Sequence, residues 1–266
     1  MKRSPQTKLT STLSKGAILI SAFACASVTA FAQTTIYSDS FARVGNLLGS
    51  APDVRPGSET WVAAAGGRTT DGSILTFTTD RGNAFLPFTP AEGNIYELSV
   101  SARTNVTNTA WLALGFMQPG ANIGGGGAGN FAFNSSAGGY AWALIRGNGA
   151  TVTFAGLGGS ENQGGDPEGT YASGTFHTIM IRLDTTNPQW SYQAFVNGNA
   201  VADAFTYPLG GNPIIGAVGL STAGGTTVNW DFDDFQLTLI PEPSTYAAIF
   251  GGFALLGLVL LRRTRK

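Results

Sequence analysis

One cysteine, one histidine and no lysine between residues 16 and 265 set the first limits on this chain of 266 residues. The cysteine, Cys25, lies near the N-terminus, so the long central region has none. That excludes a disulfide framework, a cysteine nucleophile, a zinc–thiolate site and an iron–sulfur cluster from the body. The lone His177 cannot build a zinc site of the usual three-ligand catalytic kind. No Gly-x-Ser-x-Gly elbow accompanies it, so a Ser-His-Asp triad lacks its frame. His177 shares strand parity with an apolar Ile179, which reads as a packed or capping histidine. Charge is scarce at 12% and segregated: between residues 33 and 240, seven arginines stand against fifteen acids, a net charge near −8. An acidic, lysine-free surface repels phosphate backbones, which argues against nucleic acid as a partner. Sustained helical periodicity is missing as well.

What is present is concentrated first at the ends. Lys2, Arg3, Lys8 and Lys15 precede an apolar stretch from Gly16 to Val28, and Ala30-Phe31-Ala32 follows as a small-x-small site with Gln33 as mature start. This is the pattern of a secretory leader over 1–32. A lipoprotein reading would acylate Cys25, but Ala22-Phe23-Ala24 before it is a poor lipobox. At the other end, Pro241-Glu242-Pro243 is followed by an apolar run from Tyr246 to Leu261 and by Arg262, Arg263, Arg265 and Lys266. Sixteen residues span about 24 Å as a helix, short against the roughly 20 residues of an ordinary crossing. The basic end should stay cytoplasmic and leave the body outside. The glycines at 251, 252 and 257 speak against a soluble core helix.

The tail, residues 241–266, resembles the PEP-CTERM sorting signal of Gram-negative bacteria. That resemblance implies an exosortase, a membrane-embedded cysteine transpeptidase, as partner, with cutting near Pro241-Glu242-Pro243. It also implies transient membrane anchorage, a final place at the cell surface or in the extracellular matrix, and association with exopolysaccharide. The two prolines hold an extended backbone that a protease can reach.

The body, residues 33–240, reads as one all-β domain of ten or more short strands. In 95–103 Tyr96, Leu98, Val100 and Ala102 alternate with polar residues, and 177–184 and 190–196 behave alike. Trp111 to Met117 is apolar on both faces, as in a central strand. Further strands are expected at 214–221 and 226–239. Asn197-Gly198 predicts a tight hairpin. The last strand changes phase: Val228, Trp230 and Phe232 are even-numbered, whereas Phe235, Leu237 and Leu239 are odd-numbered. Both sets can face inward only if a bulge or bend falls at Asp233-Asp234. Residues 119–139 and 156–174 are glycine-rich loops. This pattern predicts a two-sheet jelly-roll sandwich.

The body is similar to the concanavalin/laminin-G-like jelly rolls on four short motifs: Asp39-Ser40-Phe41, Trp61, Phe195-Val196-Asn197-Gly198 and Asp233-Asp234-Phe235. The resemblance implies that the first and last strands lie side by side. Glucanases of that fold carry Glu-x-Asp-x-x-Glu on one strand, where acid and nucleophile reach one bond. No such motif occurs here, and no enzymatic activity is expected. The match of Gly124 to Gly129 to a dinucleotide fingerprint lacks its strand and helix and reads as a flexible loop.

Two candidate sites remain. Tyr140 and Trp142, beside the long glycine loop, are the candidate stacking platform for a glycan. Asp231, Asp233 and Asp234 are the candidate calcium ligands, with Asp166 and Glu168 as a second acidic pair; a solvated acidic edge is the plainer reading. No other cofactor is expected. Three functions stay open: a non-catalytic, glycan-binding surface or matrix protein; a polysaccharide-active enzyme with an unrecognised carboxylate pair; and a purely structural or adhesive matrix component.

Overall fold

The computed structural model describes residues 33–240 except 64–66, 79–81, 120–138, 158–159 and 225–228. The expected leader, the Pro241-Glu242-Pro243 motif and the apolar tail lie outside the described residues, as does most of the first glycine loop. All described residues belong to one compact unit, Gln33–Glu242. Among them no helix is long and apolar enough to cross a membrane.

Among the described residues the unit is an antiparallel sandwich of seventeen strands in two sheets. One sheet has ten strands: β1 (Thr34–Asp39), β2 (Val44–Asn46), β4 (Arg68–Asp71), β5 (Leu75–Phe77), β7 (Ile95–Thr104), β12 (His177–Asp184), β13 (Ser191–Val196), β14 (Asn199–Ala200), β15 (Phe205–Thr206) and β17 (Trp230–Ile240). The other has seven: β3 (Val62–Ala63), β6 (Asn83–Pro87), β8 (Trp111–Met117), β9 (Gly139–Arg146), β10 (Thr151–Phe154), β11 (Asn162–Gly164) and β16 (Ala217–Ala223). Strand order is β14-β13-β12-β7-β17-β5-β4-β2 in the first and β11-β10-β9-β8-β16-β6-β3 in the second.

Alternation places the core. On β7 every second residue from Tyr96 to Ala102 is buried, and β12 and β13 match it with Ile179, Ile181, Leu183, Tyr192, Ala194 and Val196. Opposite them stand Leu112, Leu114 and Phe116 of β8 and Val218 and Leu220 of β16. Each such side chain contributes about 1.5–3 kcal/mol on leaving water.

The final strand carries the expected irregularity. The β17–β7 register shifts between Asp233 and Gln236, and Asp234 has φ 50°. Before the shift Trp230 and Phe232 are buried; after it Phe235 and Leu237 are. The shift also marks a change of neighbour. The first part of β17 pairs with β5 through Trp230–Phe232, and the second with β1 through Phe235–Leu239. First and last strands are therefore adjacent, as the resemblance to concanavalin/laminin-G-like jelly rolls implied. The hairpin at Asn197-Gly198 is present, with φ 51° and 80°, the signs a two-residue primed turn requires.

Other boundaries moved. The strand expected from 214 begins at Ala217, and that expected from 190 begins at Ser191. The last strand begins at Trp230. Residues 162–164, read as loop, form the edge strand β11.

Candidate functional site

Among the described residues, the strands of the seven-stranded sheet carry no aspartate or glutamate and one charged residue, Arg146. Its outer side is apolar. Phe85, Trp111, Ala113, Met117, Trp142, Leu144 and Ala223 form a second cluster, separate from the main core. Trp142 stacks on Phe154 at 4.2 Å between centroids and lies 6.0 Å from Trp111. Trp142 is only 1% exposed, so the expected platform is not open to a ligand. The reason lies in β9: its inward positions Ala141, Ala143 and Ile145 join the main core, while Trp142 and Leu144 fill the cluster on the other face. Tyr140 is half-buried, and its carbonyl accepts the Tyr207 hydroxyl at 3.2 Å.

The acids of the ten-stranded sheet are mostly committed. Asp39 is buried and accepts four hydrogen bonds: from the Phe41 amide at 2.9 Å, Arg43 Nη1 at 2.8 Å, Arg43 Nη2 at 2.7 Å and Trp61 Nε1 at 2.6 Å. Two residues of the Asp39-Ser40-Phe41 motif, together with Trp61, thus form a structural knot. Glu97 is paired with Arg182 at 2.6 Å. Asp231 receives Arg103 at 2.7 Å, Asn105 Nδ2 at 2.9 Å and Thr76 Oγ1 at 2.9 Å.

That last network corrects the calcium expectation. Asp231 spends both oxygens on protein donors, so the trio Asp231, Asp233 and Asp234 does not converge on a cation. Among the described residues no group of three or more acidic, histidine or cysteine side chains could hold a metal ion. Asp233, partly desolvated and beside Asp234, has its pKa raised, burial being the larger cause. Asp166 accepts the Tyr171 and Thr151 hydroxyls, and Glu168 accepts Asn148 Nδ2, so the second acidic pair ties loops together. His177 is clamped at both nitrogens, by the Ala172 carbonyl and the Asn197 amide, each at 3.0 Å, and packs edge-on to Tyr171. It is a packing residue, as its parity suggested.

Two concavities stand out among the described residues. One, of about 290 Å³, is lined by Ser38, Asp39, Ser40, Asp53, Asp234, Phe235 and Gln236. Within it Asp53 accepts both the amide and the hydroxyl of Ser40, and these bonds lower its pKa. The other, of about 330 Å³, is lined by Glu92, Gly93, Thr185, Thr186, Asn187, Pro188 and Trp190. It lies at the small end of ligand-site volumes, roughly 300–1,000 Å³.

The second cavity is built by register. Ile95 pairs with Asp184, which sets the loop before β7 against the loop after β12. Thr185 locks the two: its hydroxyl donates to the Ala91 or Asn94 carbonyl, at 2.9 and 2.8 Å, and accepts the Asn94 amide. Asn212 holds the far wall, accepting the Trp190 amide at 2.9 Å and donating to the Pro188 carbonyl at 2.8 Å. Its lining holds one indole edge, one carboxamide, two threonines and a single carboxylate, Glu92. Sequence reasoning missed this site. Trp190 read as core, which at 8% exposure it nearly is, and no motif announces Glu92 or Asn187.

No protein-family model matches the chain, and no curated protein sequence does. Solved structures do. An endo-1,3-beta-glucanase from Streptomyces sioyaensis superposes with TM-score 0.56 at 15% identity, covering 79% of this chain and 97% of the glucanase. Arcelin-5, a lectin-like defense protein from Phaseolus vulgaris, gives TM-score 0.53 at 11% identity, covering 79% and 99%. The Emp46p carbohydrate recognition domain gives 0.50 at 10% identity, covering 76% and 98%. At these identities the likeness carries the fold alone: a two-sheet jelly roll.

Proposed function

We propose that this is an exported, non-catalytic glycan-binding protein of the cell surface or matrix. Its leader is cleaved after Ala32, its tail is sorted by an exosortase-like transpeptidase at Pro241-Glu242-Pro243, and its body is retained near extracellular polysaccharide. The single observation that carries the binding reading is the cavity of Glu92, Thr186, Asn187 and Trp190. An indole wall suits the apolar face of a sugar ring, and neutral hydrogen-bonding groups suit its hydroxyls. Only one carboxylate lines it. Glycoside hydrolysis needs two, roughly 5–9.5 Å apart, and the strands of the seven-stranded sheet supply none. The glucanase and the lectin-like protein among the structural neighbours support a polysaccharide-related role.

The test is a glycan array on residues 33–240 beside Asn187→Ala and Glu92→Gln. Retention of a glycan by the wild type and its loss in both variants is expected. Release of reducing sugar, abolished by one Glu→Gln or Asp→Asn change, would establish an enzyme instead. No retained glycan would leave a structural or adhesive component. Sorting is tested separately: replacing Pro241-Glu242-Pro243 by alanines should leave the protein longer and misplaced on fractionation.

A further inference from the structure

We propose that the loop from Pro208 to Ile215 is a lipid-contacting surface that seats the tethered body against a bilayer. The inference rests on the reading of Tyr246–Leu261 as a membrane segment. Leu209 is 77% exposed and Ile214 71%, exceeded among the large hydrophobics of the described residues only by Val44 at 81%. Isolated exposed aliphatics are ordinary. These two sit on one short loop that is fastened in place.

The fastening is specific. The Gly211 amide closes a turn on the Pro208 carbonyl at 2.8 Å, and the Asn212 side chain bridges the Trp190 amide and the Pro188 carbonyl. On one side the Tyr207 hydroxyl reaches the Tyr140 and Ala155 carbonyls at 3.2 and 3.1 Å. On the other Ile215 is 3% exposed. Leu209 and Ile214 are therefore held outward by a scaffold whose neighbouring apolar residues are already inside.

Register shows which way they are held. Across the ten-stranded sheet one row runs Thr34–Leu239–Tyr96–Leu183–Tyr192–Phe205. The loop follows directly from the Phe205 end of that row. The chain leaves its last strand at Ile240, one residue beyond Leu239. The loop and the exit toward the tail thus share one end of the sandwich. Between Ile240 and Tyr246 lie only residues 241–245, a reach of at most about 20 Å when fully extended. A bilayer that takes up Tyr246 must lie that close to this end. The loops 88–94, 185–190 and 207–216 at this end contain Glu92 and no lysine or arginine; Arg55, on the approach to β3, is engaged with the Glu59 carbonyl at 2.7 Å. No basic cluster surrounds the loop to draw anionic headgroups, and the contact is made by burial of the two aliphatics in the interface.

The experiment uses the full chain with Cys25→Ser, reconstituted in phosphatidylcholine vesicles containing a headgroup-region nitroxide lipid. A bimane is placed at Ile214→Cys or, at the opposite end of the sandwich, at Asn148→Cys. Flotation that is lost when residues 246–261 are deleted reports the tail. The 214 label should be quenched at least threefold more than the 148 label, and Leu209→Ser should cut that difference by half or more without changing flotation. Flotation with equal quenching at both labels would overturn the lipid contact while sparing the tail reading. Quenching at 214 unchanged by Leu209→Ser would overturn the role of the aliphatics. Failure to float would refute the tail reading and the proposal together.

Discussion

Replacing Asp39 by asparagine tests how the N-terminal segment is fixed to the sandwich. The carboxylate is fully enclosed, and its Arg43 partner is 25% exposed. Asparagine keeps the volume but removes the charge, and turns an NH2 toward donors that need an acceptor. Breaking a buried pair by changing one member costs about 3–5 kcal/mol. Because Arg43 reaches water, the lower end, about 3 kcal/mol, is expected. Trp61→Phe removes one charge-assisted bond and keeps a ring against Phe235, now 5.0 Å away; about 1.5 kcal/mol is expected. The two effects share one carboxylate, so the double variant should cost about 1 kcal/mol less than their sum. Urea unfolding of residues 33–240, followed by far-UV circular dichroism, measures all three. A loss of 3 kcal/mol corresponds to a fall in Tm of roughly 6–12 °C for a domain of this size. An Asp39→Asn variant within about 1 kcal/mol of wild type, or strictly additive costs, would refute the knot.

Asp233 offers the opposite sign. Its folded pKa is raised by burial and by Asp234, so the folded state holds its proton more tightly than the unfolded one. That contribution is present at low pH and lost as pH rises through the folded value; Asp233→Asn should therefore raise Tm at pH 7, with the gain shrinking on acidification. Trp142→Ala should destabilise by about 3–5 kcal/mol in the same urea assay, because the ring is packed on Phe154 and Trp111; an unchanged midpoint would return Trp142 to the surface. Two glycine variants separate conformation from space. Gly198→Ala meets nothing within 4 Å and should cost only the positive-φ penalty, about 1–2 kcal/mol. Gly219→Ala drives a methyl into Ala84 and Phe85 of the neighbouring strand and should lower Tm considerably further.

Some of this architecture could be read from single residues. The parity change between Phe232 and Phe235 demanded the irregularity found at 233–236, since a strand has only two faces. Asn197-Gly198 named its own turn for the same local reason. Trp142 was misjudged because β9 is apolar on both faces, and a period of two cannot say which face meets the larger core. Strands β2 to β5 are two to four residues long. Such stretches are too short to show a period, and their pairing with distant segments makes them strands. The cavity of Glu92, Asn187 and Trp190 had no local signal. It exists because residues about ninety positions apart are aligned by the β7–β12 register.

The position of β17 has a kinetic consequence. The last segment of the body to be synthesised occupies the middle of the ten-stranded sheet, with β7 along one edge and β5 and β1 sharing the other. Until it arrives, three earlier segments lack their neighbour, and the N-terminal strand has nothing to zip onto. A chain threaded outward from its N-terminus would therefore remain unfinished, with open strand edges, for nearly the whole of its passage. On the proposed export route, such a molecule would set into its stable form only when translocation is almost over, which would favour passage as an unfolded thread.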